Sequence, residues 1–351
     1  MNSLLRITLI NCYCILLLFP KSTGLFELDN AEYSNNFFGA DPQASAERQI
    51  TKELISVNSV NISEEYDMYR AYLISSTKQN ITIFDNSNFG FHQLNFDLQH
   101  VGKFGNEGRG PGEFIFPVDL FTDQKNQHHI VDGHQQVVSI FSADGNLINE
   151  QSLPFGVIPH RYIVLESGKR ALYTITGNNA FHILNENNEA ENTFLNLNTN
   201  SSLDYRKRAF LLDGFIAGSD DTVYFAGYKN SMLKAFKIDG ELIYSRNYIN
   251  PMDYDFKSME ISDIRSAPAE TLDIQVYDNK LIILTAGSRE DPNRMHYLDV
   301  YNRENGDYLY TVLLEYPALR FSISEDTNSL QVLGYYTLFD EMGVFSYENP
   351  F

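Results

Sequence analysis

The chain has 351 residues, of which 43% are hydrophobic and 13% aromatic, so it has ample material for a large core and is not a disordered chain. It carries 26 Lys and Arg against 46 Asp and Glu, a formal net charge of −20. A field of this sign opposes contact with a phosphate backbone, so we expect no nucleic-acid partner and interpret the excess acid as a solvated surface.

Residues 1–24 are typical of an export signal. Arg6 supplies a positive charge, an apolar run covers 7–19, and small residues at 22–24 suit cleavage after Gly24. The run is too short to span a bilayer comfortably, so we expect no transmembrane span in the mature chain. We therefore predict an exported protein of the periplasm or cell surface; a form lipid-anchored at Cys12 is the less favoured alternative.

Both cysteines, Cys12 and Cys14, lie in this segment, so the mature chain is expected to have no disulfide and no thiol chemistry. The polar stretch that follows, 25–49, is predicted to be a flexible lead-in. The globular domain is predicted to cover 50–351.

A glycine-rich run over 102–114 is the most distinctive motif. It matches neither the Walker loop nor the dinucleotide-binding loop, and a carboxylate follows its last glycine, where it would repel phosphate. We interpret the run as a shaped structural loop in which Glu113 accepts backbone N–H groups and Phe114 begins the packing of a strand. The predicted loop residues are Gly105, Gly108, Gly110, Pro111, Gly112, Glu113 and Phe114.

Arg109, in the middle of this run, has two interpretations. In one it pairs with a nearby acid, and in the other it projects toward a ligand at the mouth of the domain. We name Arg109 as the tentative ligand-binding residue.

Short hairpins recur along the rest of the chain. Asp-Gly and Asn-Gly between apolar runs are strong hairpin signals, and the clearest are at Asp144, Asp239 and Asn305. Weaker turns are expected at Asp85, Asn185 and Asp340. The six turns recur about every 51 residues, close to the period of four-stranded propeller blades, with an insertion expected over 250–268.

The sequence therefore predicts an all-β fold, a six-bladed β-propeller with four antiparallel strands in each blade. A propeller hides its edges by closing the ring, commonly with an early strand. The apolar segment 52–62 is our candidate for that N-terminal closing strand.

The segment from 102 to 145 resembles a blade of the NHL-type and TolB-like propellers. It is more closely similar to exported six-bladed propellers of Bacteroidota and related bacteria. The resemblance rests on the glycine-rich run, Pro117, Ile130 to Gly133 and Val138 to Gly145, and covers one blade. The Arg usual in such a blade is missing from Gln135 to Phe141, which puts contacts depending on it in doubt.

The resemblance implies the fold and leaves the activity open, because the superfamily includes binding scaffolds as well as lactonases and streptogramin lyases. We expect a monomeric, non-catalytic protein that binds a protein, peptide or glycan partner at one mouth of the ring. The alternative is a metal-dependent hydrolase or lyase with a divalent metal in the central channel; otherwise no cofactor and no catalytic residue is predicted.

Two groups of side chains are candidate metal ligands. His128 and His129 are adjacent on an expected strand, where successive side chains face opposite sides, and His134 falls in the turn beyond. The acidic pairs Asp220 with Asp221, Asp253 with Asp255, and Glu325 with Asp326 lack the spacing of a calcium loop. We therefore predict structural or surface roles for all of them.

Overall fold

The computed structural model describes residues 40–45, 47–154, 156–197, 205–252, 258–286, 295–324, 326–336 and 341–351. Their strands form six four-stranded antiparallel blades around a channel, which confirms the predicted six-bladed β-propeller. The predicted signal, with Cys12 and Cys14, lies outside the described residues, as does 25–39. Among the described residues, no helix is long and apolar enough to cross a membrane.

The chain enters through two strands and a short helix, then builds blades 1 and 2. The entry elements are β1 (Ile50–Leu54), β2 (Asn58–Asn61) and α1 (Ile62–Tyr66). Blade 1 contains β3 (Ala71–Ser76), β4 (Ile81–Asp85), β5 (Gly90–Leu94) and β6 (His100–Phe104). A small parallel pair, β7 (Asn106–Glu107) and β8 (Glu113–Phe114), leads to blade 2, which contains β9 (Pro117–Thr122), β10 (His128–Asp132), β11 (Val137–Phe141) and β12 (Leu147–Ser152).

Blades 3 and 4 are separated by a helix. Blade 3 contains β13 (Arg161–Val164), β14 (Arg170–Tyr173), β15 (Asn179–Leu184) and β16 (Ala190–Asn196). The helix α2 (Tyr205–Leu212) precedes blade 4, which contains β17 (Gly214–Ser219), β18 (Thr222–Gly227), β19 (Met232–Lys237) and β20 (Leu242–Asn247).

A second inter-blade helix, α3 (Ile261–Ser266), leads into the last two blades. Blade 5 contains β21 (Thr271–Tyr277), β22 (Lys280–Thr285), β23 (Tyr297–Asn302) and β24 (Tyr308–Leu314). Blade 6 contains β25 (Ala318–Ser324), β26 (Ser329–Tyr335) and β27 (Met342–Glu348).

The ring is closed by the N-terminal part of the chain. β2 pairs antiparallel with β27, from Asn58 opposite Ser346 to Asn61 opposite Gly343, and so supplies the fourth strand of blade 6. This confirms a closing strand within 52–62. The preceding β1 pairs in parallel with β24 and adds a fifth strand to blade 5, which the sequence did not predict.

The described part of the predicted lead-in also holds the ring. Asp41 accepts a hydrogen bond from Arg246 of blade 4 at 2.7 Å. Arg48 forms a buried bidentate pair with Asp299 of blade 5, with N–O distances of 2.7 and 2.8 Å. Together with the pairing of β1 and β2, these contacts mean that the described residues before blade 1 contact blades 4, 5 and 6.

The predicted Asp-Gly and Asn-Gly turns join the third and fourth strands of blades 2, 4 and 5. Gly145 adopts φ +78°, and a Cβ there would lie 2.6 Å from the Phe104 ring, so both the turn and the neighbouring blade require glycine. The turn predicted at Asp85, in contrast, joins the second and third strands of blade 1. The turn predicted at Asp340 lies outside the described residues.

The expected insertion between blades 4 and 5 contains α3. The ammonium group of the buried Lys229 donates to the carbonyl oxygens of Ile264 and Ala267, each at 2.7 Å, and so satisfies groups that the end of this helix leaves without partners. Both α2 and α3 precede an innermost strand. They therefore lie at the face of the ring where those strands begin.

Candidate binding cavity

The six innermost strands, β3, β9, β13, β17, β21 and β25, contact one another in order around the channel. They enclose a cavity of about 570 Å³. Its lining begins at residues such as Leu73, Val118 and Arg161, among the first three residues of each innermost strand, and continues to the turns that follow these strands. The cavity therefore opens at the face where the innermost strands end, which we call the strand-end mouth.

Four charged side chains from four blades surround an aromatic ring at the inner end of this cavity. They are Asp119 of β9, Arg161 of β13, Asp273 of β21 and Arg320 of β25, and the ring is Phe215 of β17. We call this set the charged floor. The charged members are partly exposed and Phe215 is buried, so the charges border the space of the cavity while the ring supports them.

The two carboxylates of the floor join neighbouring innermost strands. Asp119 accepts the backbone N–H of Tyr162 at 2.7 Å, and Asp273 accepts that of Phe321 at 3.1 Å. Burial raises the pKa of Asp119 and raises that of Asp273 to about 6, although Arg161 and Arg320 oppose the shifts. Asp273 is therefore protonated at mildly acidic pH.

The two guanidinium groups lie over the Phe215 ring. The Cζ atom of Arg161 is 4.4 Å from the ring centroid and that of Arg320 is 4.7 Å away. Arg161 Nη1 donates to the carbonyl of His160 at 2.7 Å, and Arg320 Nη1 donates to the carbonyls of Leu272 and Leu319. Each group is therefore held by one nitrogen.

The wall above the floor contains a group of neutral polar side chains among apolar ones. Ser75 and Thr122 share a hydrogen bond of 2.6 Å, and Thr122 also contacts His128 Nδ1 at 3.0 Å. Thr82 holds the other ring nitrogen of His128 at 2.9 Å. Burial lowers the pKa of His128 to about 4, so this histidine is neutral near pH 7 and positions the wall.

The strand-end mouth carries mostly acidic groups. Asp123, Glu166 and Asp326 line it, together with Lys78, which lies 3.3 Å from Asp326. Asp123 accepts a hydrogen bond from His129 at 3.1 Å. A ligand entering the cavity thus passes an acidic rim before it reaches the arginines.

The histidines of blade 2 do not converge on one site. His128 points to Thr82 and Thr122, whereas its neighbour His129 contacts Asp123, so the two face different surroundings as a strand requires. His134 lies in the turn after β10. Among the described residues, no three His, Cys, Asp or Glu side chains are grouped so that they could hold a metal ion.

The glycine-rich loop lies elsewhere. It joins the outer strand of blade 1 to the start of β9, so it lies at the face opposite the strand-end mouth. Glu113 accepts the N–H of Gly110 at 2.7 Å, and Phe114 is fully buried with its ring centroid 5.2 Å from that of Phe91. Arg109 is exposed and outside the cavity lining, and its role as a ligand contact stays a prediction.

Asp132 ties this loop to blade 2. Fully buried at the end of β10, it accepts the N–H groups of Ile115 and Phe116 from the loop at 2.6 and 2.9 Å. It also accepts those of His134 and Gln135 in the following turn, at 2.8 and 2.7 Å. Asp132, which lies in the segment that resembles an NHL-type blade, therefore has a structural role as the acceptor of four backbone N–H groups.

The sequence did not single out the charged floor. Of the acidic pairs considered, Asp220 and Asp221 lie in the β17–β18 turn and Asp326 lies at the mouth, whereas Asp253, Asp255 and Glu325 are outside the described residues. A usable signal was present in the sequence. Asp119, Asp273 and Arg320 each interrupt a short apolar strand at its third position.

No protein-family model matches the chain, and no curated protein matches it by sequence. Solved structures do resemble it. A candidate exported protein from Bacteroides fragilis is 13% identical, with a TM-score of 0.55, and the match covers 88% of this chain and 98% of that one. A gluconolactonase from Xanthomonas campestris is 12% identical, with a TM-score of 0.56 over 88% of this chain and 97% of that one.

A streptogramin B lyase is 9% identical, with a TM-score of 0.51, covering 81% of this chain and 95% of that one. At these identities the likenesses establish the propeller fold alone. They agree with the fold that the resemblance of blade 2 implies.

Proposed function

We propose that the protein is an exported, monomeric, non-catalytic propeller that takes part of a protein, peptide or glycan into its central cavity through the strand-end mouth. The observation that carries the proposal is the cavity itself. Its volume of about 570 Å³ is that of a ligand site, and it combines walls of apolar and neutral polar side chains with a few charges at its inner end. The resemblance to a candidate exported protein, and to the exported propellers of Bacteroidota-type bacteria, supports the location.

The metal-dependent hydrolase or lyase is the second candidate, suggested by the lactonase and lyase folds. Its requirement is a set of convergent oxygen or nitrogen ligands. At the charged floor, Asp119 and Asp273 are occupied by backbone N–H groups and Arg161 and Arg320 lie close by. These described residues do not fit a divalent cation, so we favour binding.

The proposal is tested by filling the cavity with a larger side chain. Ser322 lies two residues beyond Arg320 on the same face of β25 and lines the cavity, so Ser322→Phe places a ring above the floor. Ser152→Phe, on the exposed edge strand β12, is the matched control. Immobilised wild type and both variants are presented with a panel of free-acid peptides, amidated peptides, and neutral and acidic oligosaccharides.

We expect at least one compound class to be retained by wild type and Ser152→Phe, lost by Ser322→Phe, and recovered chemically unchanged. Equal retention on all three proteins would refute the cavity as the site. Recovery of a hydrolysed or eliminated product would refute the non-catalytic part of the proposal and favour the enzyme.

A further inference from the structure

We infer that Arg161 and Arg320 together form a receptor for a single carboxylate, and that the ligand which carries it is the free carboxyl terminus of an extended peptide. The inference rests on the proposed function and specifies the ligand chemistry of the same cavity. It is drawn from the donors that the two guanidinium groups leave unused.

The two arginines have spare donors that border the cavity. Each guanidinium group offers five N–H donors, but toward the described residues only Nη1 of each donates, in every case to backbone carbonyls. Among the described residues, no Asp or Glu lies within ion-pair distance of Arg161 or Arg320. Two guanidinium groups with free edges are the arrangement that binds a planar carboxylate by paired hydrogen bonds.

The neighbouring acids do not fill this role. Asp119 accepts the N–H groups of Tyr162 and Leu120, and Asp273 accepts those of Phe321 and Ile274. In each carboxylate, one oxygen therefore faces the backbone of its own strand and the other faces the backbone of the next innermost strand. When ionised, the two carboxylates offset the two positive charges of the floor, so an anion is bound by the unused N–H groups of the two arginines and not by a net positive charge.

Phe215 fixes the geometry of the receptor. Because both guanidinium carbons lie within 4.7 Å of its ring centroid, the two groups cannot be more than about twice that distance apart. This upper limit keeps both groups beside one ring at the inner end of the cavity, where we infer that one carboxylate contacts both. The ring is buried in β17, so the pair is positioned before any ligand arrives.

The rest of the cavity indicates what carries the carboxylate. From the floor to the turns, each innermost strand runs for about four residues, so the cavity is roughly 13 Å deep and suits an unbranched chain entering end-on. Its wall offers hydroxyl groups such as those of Ser75 and Thr122, which suit amide groups. The acidic mouth and the net charge of −20 oppose a polyanion such as an acidic polysaccharide.

The experiment compares matched pentapeptide libraries, one with free carboxyl termini and one with amidated termini, by their binding to the full chain. The residues before the terminus are neutral or basic. The variants are Arg161→Gln and Arg320→Gln, with Arg320→Lys as a conservative change, and Arg70→Gln as the control because Arg70 is exposed and outside the cavity lining. Thermal unfolding of each variant verifies its fold.

We expect the free-acid library to bind wild type and Arg70→Gln about tenfold or more tightly than the amidated library, the range expected of a hydrogen-bonded charge. Both Gln variants should remove this preference, and Arg320→Lys should keep part of it. Equal binding of the two libraries by wild type, or a preference that survives both Gln variants, overturns the inference. If the preference is absent but Ser322→Phe still abolishes retention of another panel compound, the cavity function stands and only the carboxylate receptor is rejected.

Discussion

The protonation of Asp273 gives the most quantitative prediction about the charged floor. Burial raises its pKa to about 6, against 3.8 for an ordinary Asp, so near pH 5 the folded protein holds a proton that the unfolded chain has lost. The contribution of this group to stability is therefore most favourable below pH 4. It declines as pH rises through this window and stays at its least favourable value above pH 6.

The substitution Asp273→Asn removes the titration and keeps one oxygen acceptor, whereas Asp273 accepts the N–H groups of Ile274 and Phe321 through separate oxygens. The loss of one of these hydrogen bonds is the same at every pH, so the change of the stability difference with pH reports the titration. A shift of roughly two pKa units corresponds to about 3 kcal/mol. Because the side chain keeps contact with the cavity, we expect the variant to gain on the order of 1–3 kcal/mol relative to wild type between pH 4 and pH 7.5.

The assay is urea unfolding of both proteins at pH 4, 5, 6 and 7.5. Asp144→Asn is the control, since Asp144 is exposed in the β11–β12 turn and Asn-Gly suits the same turn. The stability difference between Asp273→Asn and wild type should grow with pH, whereas that for Asp144→Asn should stay level. A difference for Asp273→Asn that is constant or shrinks with pH would refute the proposed electrostatics of the floor.

Three further outcomes test the fold. Deleting 25–62 removes β2 and should abolish cooperative thermal unfolding, whereas deleting 25–45 should leave a cooperative transition; cooperative melts of both deletions would contradict closure of the ring. Asp132→Ala leaves four buried backbone donors without their acceptor and should cost about 3–5 kcal/mol in urea unfolding, and a loss below 1 kcal/mol would show that water replaces the carboxylate. Phe114→Ala should cost about 3–5 kcal/mol by the same assay because its ring is fully buried, and a near-neutral result would mean that the glycine-rich loop does not anchor blade 2.

The blade rhythm was predictable because turn chemistry is local. Asp-Gly and Asn-Gly turns such as that at Gly145 mark the outer hairpins of blades, and the apolar runs on either side are long enough to be recognised as strands. The closing strand was predictable for a similar reason, since 52–62 is apolar and lies before the first complete blade. The parallel addition of β1 was not, because nothing local in its sequence distinguishes a fifth strand from a fourth.

The helices between blades were missed because tertiary contacts stabilise them. α3 is only six residues long, too short to be stable alone, and Lys229 from blade 4 satisfies its last carbonyls. That lysine is 35 residues or more from its partners in the chain. Local propensity carries no information about such a contact.

The charged floor was beyond local reasoning for the same physical reason. Asp119 and Arg320 come from blades 2 and 6 and meet only because the ring brings the starts of the innermost strands together. In the sequence alone, each of these residues would be interpreted as an exposed surface charge. Once the six innermost strands are aligned by their blade positions, however, charged residues at the third position of β9, β21 and β25 predict a polar channel.

The most direct test of the central claim measures the charge preference of the cavity without knowledge of the natural ligand. In a background with Cys12 and Cys14 replaced by Ser, Ser322→Cys places one thiol in the cavity and Ser152→Cys places one on the outer strand β12. The measurement is the ratio of reaction rates with an anionic and a cationic methanethiosulfonate of similar size.

The negative net charge of the protein should favour the cationic reagent at position 152. At position 322 we predict the opposite, a faster reaction with the anionic reagent, and a ratio that falls when Arg161→Gln is added. A cationic preference at both positions, or a thiol at 322 that neither reagent reaches, would contradict an open cavity with an anion-binding floor.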